Sequence, residues 1–399
     1  MSRRKWLLCL LMAAVPPCWS NPMEASDLAA SLPSESASDG STRVWRVGPL
    51  RDIKRPSQLA GRLRNGDTVE IDAGLYRNDY AHWRQSNITL RGVGGMANLV
   101  SRGLIPNGKA IWIIDGDNVR VENISFSGAA VRHTNGAGIR HQGGRLTLRN
   151  TFFHNNEFSI LSGKLPNADI DIQDSRFWHQ KRPVRHSHGI YIGRARSLTL
   201  IGNHFTATDL GHQVKSRALH NVIAYNRIED VPGGNSSRLI DLSNCGYSLV
   251  LGNQMHQASS SENFNAISFG PEGCDDRTGR QKQLFVVHNT FINEAPSGDF
   301  VHNFEGENSR VLVANNLIFG AGKHLVGSGE AKGNLRLPLA AAPDGRWFSF
   351  VPDQAIDTAV DLSALEQGRL LPSRMFRPPA GTLLRPTSRR LDVGAAEAP

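Results

Sequence analysis

Short stretches of alternating apolar and polar residues recur along this chain, most of them ending in Asn or Asp. Copies include Val119-Arg-Val-Glu-Asn123, Leu146-Thr-Leu-Arg-Asn150, Ile170-Asp-Ile-Gln-Asp174 and Leu198-Thr-Leu-Ile-Gly-Asn203. Further copies are Val222-Ile-Ala-Tyr-Asn226, Leu249-Val-Leu-Gly-Asn253, Phe285-Val-Val-His-Asn289 and Leu312-Val-Ala-Asn-Asn316. Successive Asn or Asp positions are offset by 27, 24, 29, 23, 27, 36 and 27 residues. Alternation with period two is the signature of a strand. Its return every twenty to forty residues is the signature of stacked repeats. Asn tolerates a left-handed backbone and can bond its stacked neighbours through its amide, so one corner is expected to carry an Asn column.

A second set of strands lies between these copies: Gly138-Ile-Arg-His-Gln142, Ser159-Ile-Leu-Ser-Gly163, Gly189-Ile-Tyr-Ile-Gly193, Gln213-Val-Lys-Ser-Arg217, Leu239-Ile-Asp-Leu-Ser243, Ala266-Ile-Ser-Phe-Gly270 and Phe300-Val-His-Asn-Phe304. The second residue of each is aliphatic: Ile139, Ile160, Ile190, Val214, Ile240, Ile267 and Val301. Strand side chains alternate between faces, so this column predicts the interior and its neighbours predict an outer surface. The outward columns read Arg140, Leu161, Tyr191, Lys215, Asp241, Ser268, His302 and, two residues on, Gln142, Gly163, Gly193, Arg217, Ser243, Gly270, Phe304. Parallel stacking of the strands is the predicted arrangement.

Ahead of the repeats, Ser57-Gln-Leu-Ala-Gly-Arg-Leu63 has helical spacing and predicts a short helix capping the stack. Gly66 to Tyr76 reads as a strand and turn. Long amphipathic helical patterns are scarce, and glycine is abundant at 39 of 399 residues. The class is therefore all-β, and a solenoid escapes the usual relation between length and domain number.

Residues 1–20 resemble a secretory signal peptide, with Arg3, Arg4 and Lys5 before the apolar run Trp6 to Val15 and Ser20 at the cut. Periplasmic or secreted localisation is the expectation. Residues 21–43 read as a flexible linker, 44–345 as the solenoid and 346–399 as a C-terminal wrapping segment. Cleavage would leave Cys245 and Cys274, which follow strands aligned at Ser243 and Gly270 and suit a disulfide. It would also lower the formal charge from +9 to +6, an excess that suits an acidic partner. No other stretch is long and apolar enough to span a membrane.

Repeats of this length resemble the right-handed parallel β-helix proteins, a group that includes pectate lyases, chondroitinase- and alginate-lyase-type enzymes and alginate C5-epimerases. The resemblance covers about residues 44–345. It implies a protein acting on an extended acidic polysaccharide, as a monomer and without nucleic acid. β-Elimination from a uronate polymer needs a carboxylate neutraliser, a base for the C5 proton and an acid for the departing O4. Arg217 and Arg140 suit the first role. Lys215 can serve as base where burial or neighbouring cations favour the amine, with Tyr191 as acid, or the two can exchange roles. Asp241 orients Lys215 from the other side. Lysine and arginine are the base and acid, with calcium, in the chondroitinase-like members; Lys215 and Arg217 match those types but lie on one strand. Gln142, Gln213, His188 and His212 join Arg140 and Asp241 as expected substrate-binding residues, with Arg132, His133, Lys164 and Arg185 nearby in sequence. By strict alternation His188 and His212 share the inner parity, which favours a hydrogen-bonded buried pair. No cofactor is required. Calcium is the one ion the resemblance allows, with Asp241, Glu272, Asp275 and Asp276 as candidate ligands. With only Asp241 in the outward columns, hydrolysis by paired carboxylates is disfavoured. The leading reading is a polysaccharide lyase. A C5-epimerase and a non-catalytic carbohydrate-binding protein are the alternatives.

Overall fold

The aliphatic column predicted from seven aligned strands stacks in register. Ile139 pairs with Ile160, Ile160 with Ile190, Ile190 with Val214, Val214 with Ile240, Ile240 with Ile267 and Ile267 with Val301, all in parallel. Each of the seven is fully buried. Truncating Ile240 to Ala would leave a cavity costing about 2–5 kcal/mol. These strands belong to a ten-stranded parallel sheet, sheet 1, that runs from Ala81–Trp83 to Leu325–Val326.

The computed structural model describes residues 42–178, 187–230, 234–263, 265–274, 280–343, 347–386 and 390–398. The expected signal peptide, the linker up to residue 41, Arg185, Asp275 and Asp276 lie outside them. Two further parallel stacks complete each coil. Sheet 2 includes Leu146–Arg149, His220–Ala224 and Arg310–Ala314; sheet 3 includes Phe152–His154, Arg227–Glu229 and Leu317–Phe319. They merge at the long strand Thr89–Val100, which pairs with Val119–Glu122 along one half and Ile124–Ser127 along the other. The result is a right-handed parallel β-helix of about ten turns. Inside it, Trp83, Trp112, Phe126, Phe153, Phe177 and Phe205 form one continuous row of ring contacts.

The expected Asn column divides into two adjacent ones. Asn123, Asn150 and Asp174 take the left-handed backbone at the corner, as do Gly202, Tyr225, Gly252, His288 and Asn315 in later coils. From Asn203 onward the Asn sits one residue later and points inward. Asn203, Asn226, Asn253, Asn289, Asn316 and Asn334 form a ladder in which, from Asn226 on, each side-chain oxygen accepts from the backbone N–H of the Asn one coil before. Strand alternation puts the two positions on opposite faces, so no single residue could fill both roles.

The expected helix at Ser57–Leu63 is a 3-10 turn over Pro56–Leu59, followed by a turn that buries Leu63. Pro56 starts the turn and Ser57 spends its hydroxyl on Asp79, so no α-helix propagates. At the far end, Leu362 and Leu370 pack on Leu249, Leu251 and Phe285 of sheet 2. Phe348, Ala355 and Val393 pack on Ile292, Leu317 and Phe319 of sheet 3. Arg385, buried, ties this segment together by bonding Glu397 and the Asp392, Gly394 and Ala396 carbonyls. The apolar contacts of the C-terminal segment thus run to sheets 2 and 3.

Candidate functional site

The outward column on sheet 1 follows the predicted register: Leu161 pairs with Tyr191, Tyr191 with Lys215, Lys215 with Asp241 and Asp241 with Ser268. Lys215 Nζ donates to Asp241 Oδ2 at 2.9 Å and to Glu272 Oε1 at 2.8 Å. Arg217 grips the same Glu272 through Nε at 2.9 Å and NH2 at 2.7 Å, and its NH1 donates to the Tyr191 hydroxyl. The guanidinium lies over the Tyr191 ring, 4.8 Å from its centre. Tyr191, Lys215, Arg217, Asp241 and Glu272 therefore form one hydrogen-bonded cluster. The Asp241 side chain is 1% exposed and that of Glu272 38%, so Glu272 is the carboxylate facing solvent.

Glu272 comes from the loop after Asn265–Phe269, 57 residues beyond Lys215. Gly270 makes the turn into this loop at φ +76°, where a Cβ would sit 2.6 Å from Glu305 Cγ and 3.0 Å from Cys245 Sγ. Glu272 N–H then donates to the Ser243 carbonyl at 3.0 Å. Two residues on, Cys274 is joined to Cys245 as a disulfide, with the Cα atoms 5.5 Å apart. The loop is thus pinned on both sides of Glu272. Arg280 reaches back to the Arg217 and Ala218 carbonyls and holds the end of the Lys215 strand.

His188 and His212 stack on each other with ring centres 4.9 Å apart. His212 N–H donates to His188 Nδ1, and His212 Nε2 lies 3.2 Å from Asp241 Oδ2. Both are largely buried, but on the outer side of the sheet, and His188 also stacks on Tyr191 at 5.7 Å. Strict alternation fails here because sheet pairing skips one residue. His212 pairs with Arg238 and Val214 with Ile240, while Gln213 and Leu239 between them both turn inward. The residue before the skip consequently shares a face with Lys215. The same skip gathers Ala137, Phe158 and Leu161 into a small apolar cluster beside Tyr191, separate from the main core.

This corrects the place expected for Gln213 in substrate binding. It is fully buried, and its amide bonds Thr208, the Glu229 carbonyl and Asp230 inside the coil. Arg140 lies two coils from Tyr191 in the same column, and Gln142 bonds Lys109. Arg132, His133 and Lys164 are exposed outside the cluster. The one full participant that strand alignment left out of the cluster is Glu272. Only its nearness to Cys274, paired with Cys245 beside the Asp241 strand, could have pointed to it.

Burial alone would push the Asp241 carboxyl up, but the bond from His212 and the nearness of Lys215 outweigh it and hold it well below the usual carboxylate range. Burial opposes ionisation of Glu272 too, and Lys215 and Arg217 overcome it, so its carboxyl also falls. Burial lowers His212, against the pull of Asp241, and favours the neutral ring. Among the described residues, the metal-ligand types that converge within 4.8 Å are Cys245, Cys274 and Glu305, and there the sulfurs are bonded to each other. The site can hold a carboxylate between Lys215 and Arg217 and place a phenol and an amine beside it.

No protein-family model and no curated protein matches the sequence. Among solved structures, pectate lyase Pel9A is similar, with a TM-score of 0.55 at 13% identity over 90% of this chain and 97% of that one. The GH136 lacto-N-biosidase from Eubacterium ramulus is more distant, with a TM-score of 0.44 at 10% identity over 74% of this chain and 68% of that one. What this chain has in common with pectate lyase Pel9A is the parallel β-helix fold.

Proposed function

We propose that sheet 1 binds a uronate-containing polysaccharide along its outer face and that the protein cleaves it by β-elimination. The observation that carries this is the carboxylate of Glu272 held between Lys215 and Arg217. Two cations so placed would receive a uronate carboxylate in the same manner, sharing or displacing the solvent-facing Glu272. With that carboxylate neutralised, the C5 proton becomes acidic. Lys215, the ammonium, donates its proton to the departing O4, and Tyr191 on the adjacent coil, its oxygen accepting from Arg217 as a phenolate, takes the C5 proton. The C4–O4 bond breaks as the C4–C5 double bond forms. Arg217 stabilises the charge that develops on the carboxylate as an enolate. The fold it has in common with a pectate lyase supports the reading as a precedent for this scaffold. Export to the periplasm or beyond, expected from residues 1–20, belongs to the same proposal.

Glu272 supplies the second carboxylate missing from the outward columns, which reopens hydrolysis. A glycosidase needs one carboxyl kept protonated. Asp241 and Glu272 are both shifted the other way, which favours elimination. A C5-epimerase begins with the same proton abstraction and reprotonates the opposite face. The purified protein should be incubated with alginate, glucuronan, pectate and glycosaminoglycans. New absorbance at about 232 nm, from the unsaturated uronate that elimination leaves, is the expected result. Reducing ends without absorbance would mean hydrolysis. Altered polymer NMR without cleavage would mean epimerisation.

A further inference from the structure

Beyond Asp241, the outward surface of sheet 1 changes from charged to aromatic. One coil on, the outward positions are Ser268 and Gly270, both buried. The next coil presents His302 and Phe304, two residues apart on one strand and its exit, so both side chains project from the same face. Their rings stack with centres 3.9 Å apart and planes within 8°. Phe304 is 44% exposed, more than any other phenylalanine among the described residues. Its backbone is locked: Phe304 N–H donates to the Phe269 carbonyl, and Glu305 is drawn away to Cys274 N and Lys282.

Arg238 connects this aromatic pair to the site. Its NH1 lies 3.9 Å from Asp241 Oδ2, and its Cζ is 6.0 Å from the centre of the Phe304 ring. An aromatic ring with a guanidinium 6.0 Å from its centre matches a uronate ring, which offers a C–H face for stacking and a carboxylate for the cation. From Lys215 to His302 the column passes through Asp241 and Ser268, which is three coil steps, or about 14 Å at one strand spacing each.

We propose that Phe304, backed by His302, is a stacking platform for a sugar ring about three units along the polymer from the one that reacts at Lys215, with Arg238 receiving a carboxylate beside it. This rests on the reading of sheet 1 as a polyuronate-binding face. It adds that the polymer lies along the solenoid axis and reaches past Asp241, so that oligomers of four or more units engage both places.

The test compares wild-type protein with Phe304→Ala and Phe304→Tyr. It uses affinity electrophoresis in gels containing each of the four polymers, and kinetics on uronate oligomers of two to six units. Phe304→Ala is expected to raise KM for long oligomers about three- to tenfold, the loss of one aromatic stack, and to abolish the wild-type preference for four or more units. Phe304→Tyr, which keeps the ring, should keep that preference. Unchanged gel retardation and unchanged length preference in a folded Phe304→Ala protein would overturn the platform while leaving the elimination chemistry standing. Retardation that depends on Phe304 in a protein that cleaves none of the polymers would overturn the chemistry and uphold the platform. A wild-type protein retarded by none of the polymers would overturn both.

Discussion

The Asn ladder and the outward column of sheet 1 are built on the same coils, yet they obey opposite rules. From Asn203 to Asn334 the ladder repeats one residue in one geometry, with oxygen-to-nitrogen distances of 2.9–3.0 Å at every step. Over the same coils the outward column runs Tyr191, Lys215, Asp241, Ser268, His302 without repeating a residue. Repetition serves stacking, because each coil must satisfy the same buried backbone groups. The break in repetition gathers dissimilar groups in one place, which stacking does not require. In a solenoid, the surface where the repeat fails is where chemistry should be sought.

If that division holds, changes on the two sides should separate rate from stability. Tyr191→Phe is expected to lower turnover at least about a hundredfold, with little change in melting temperature, because only the hydroxyl is lost. Lys215→Ala should lower turnover by a similar factor and also destabilise the fold, because Asp241 stays buried without its amine partner. Rates near wild type in both variants, on the polymer identified by absorbance, would place the chemistry on another part of the solenoid.

The ladder should respond the other way. Asn253→Ala removes the oxygen that accepts from the Asn226 backbone and amide, and the amide that serves the Ile223 carbonyl. Leaving those buried groups unmet should cost at least about 2 kcal/mol. The denaturant midpoint should fall while turnover per folded molecule stays at the wild-type level. An unchanged midpoint would show that the ladder does not carry the stability assigned to it.

The smallest effect, and the sharpest separation, lies in pH. Burial and the charge of Arg385 push His288, at the corner beside the ladder, down to about 3. The unfolded chain binds a proton near pH 6.5 and the folded protein does not. The stability from a neutral His288 is thus complete above about pH 6.5 and is lost as pH falls toward about 3. Asp241 is also depressed, so its contribution is complete above its unfolded value of about 3.9 and is lost only below that. His288→Asn, chosen because Asn accepts the positive φ at this position, should flatten stability between about pH 6 and 4. Asp241→Asn should flatten it only below about pH 4. Urea titrations across pH 3–7 that gave both variants the same profile would contradict this assignment.

The sequence by itself determined the sheet 1 register and what shares its faces. Ile190, Val214 and Ile240 could be aligned, and Tyr191, Lys215, Arg217 and Asp241 assigned outward, because a parallel strand repeats its local alternation wherever the same residues pair. Only the tertiary structure decided the rest. Gln213 turns inward because pairing skips a residue at the corner, which reverses parity for His188 and His212. The Asn positions divide between the left-handed corner and the inward ladder because one residue of offset exchanges the faces of a strand. Glu272 reaches Lys215 and Arg217 because a turn at Gly270 and a disulfide at Cys274 fix the path of a loop. Strand alternation is local and is written in neighbouring residues, whereas corners and loops are set by contacts between residues far apart in the chain.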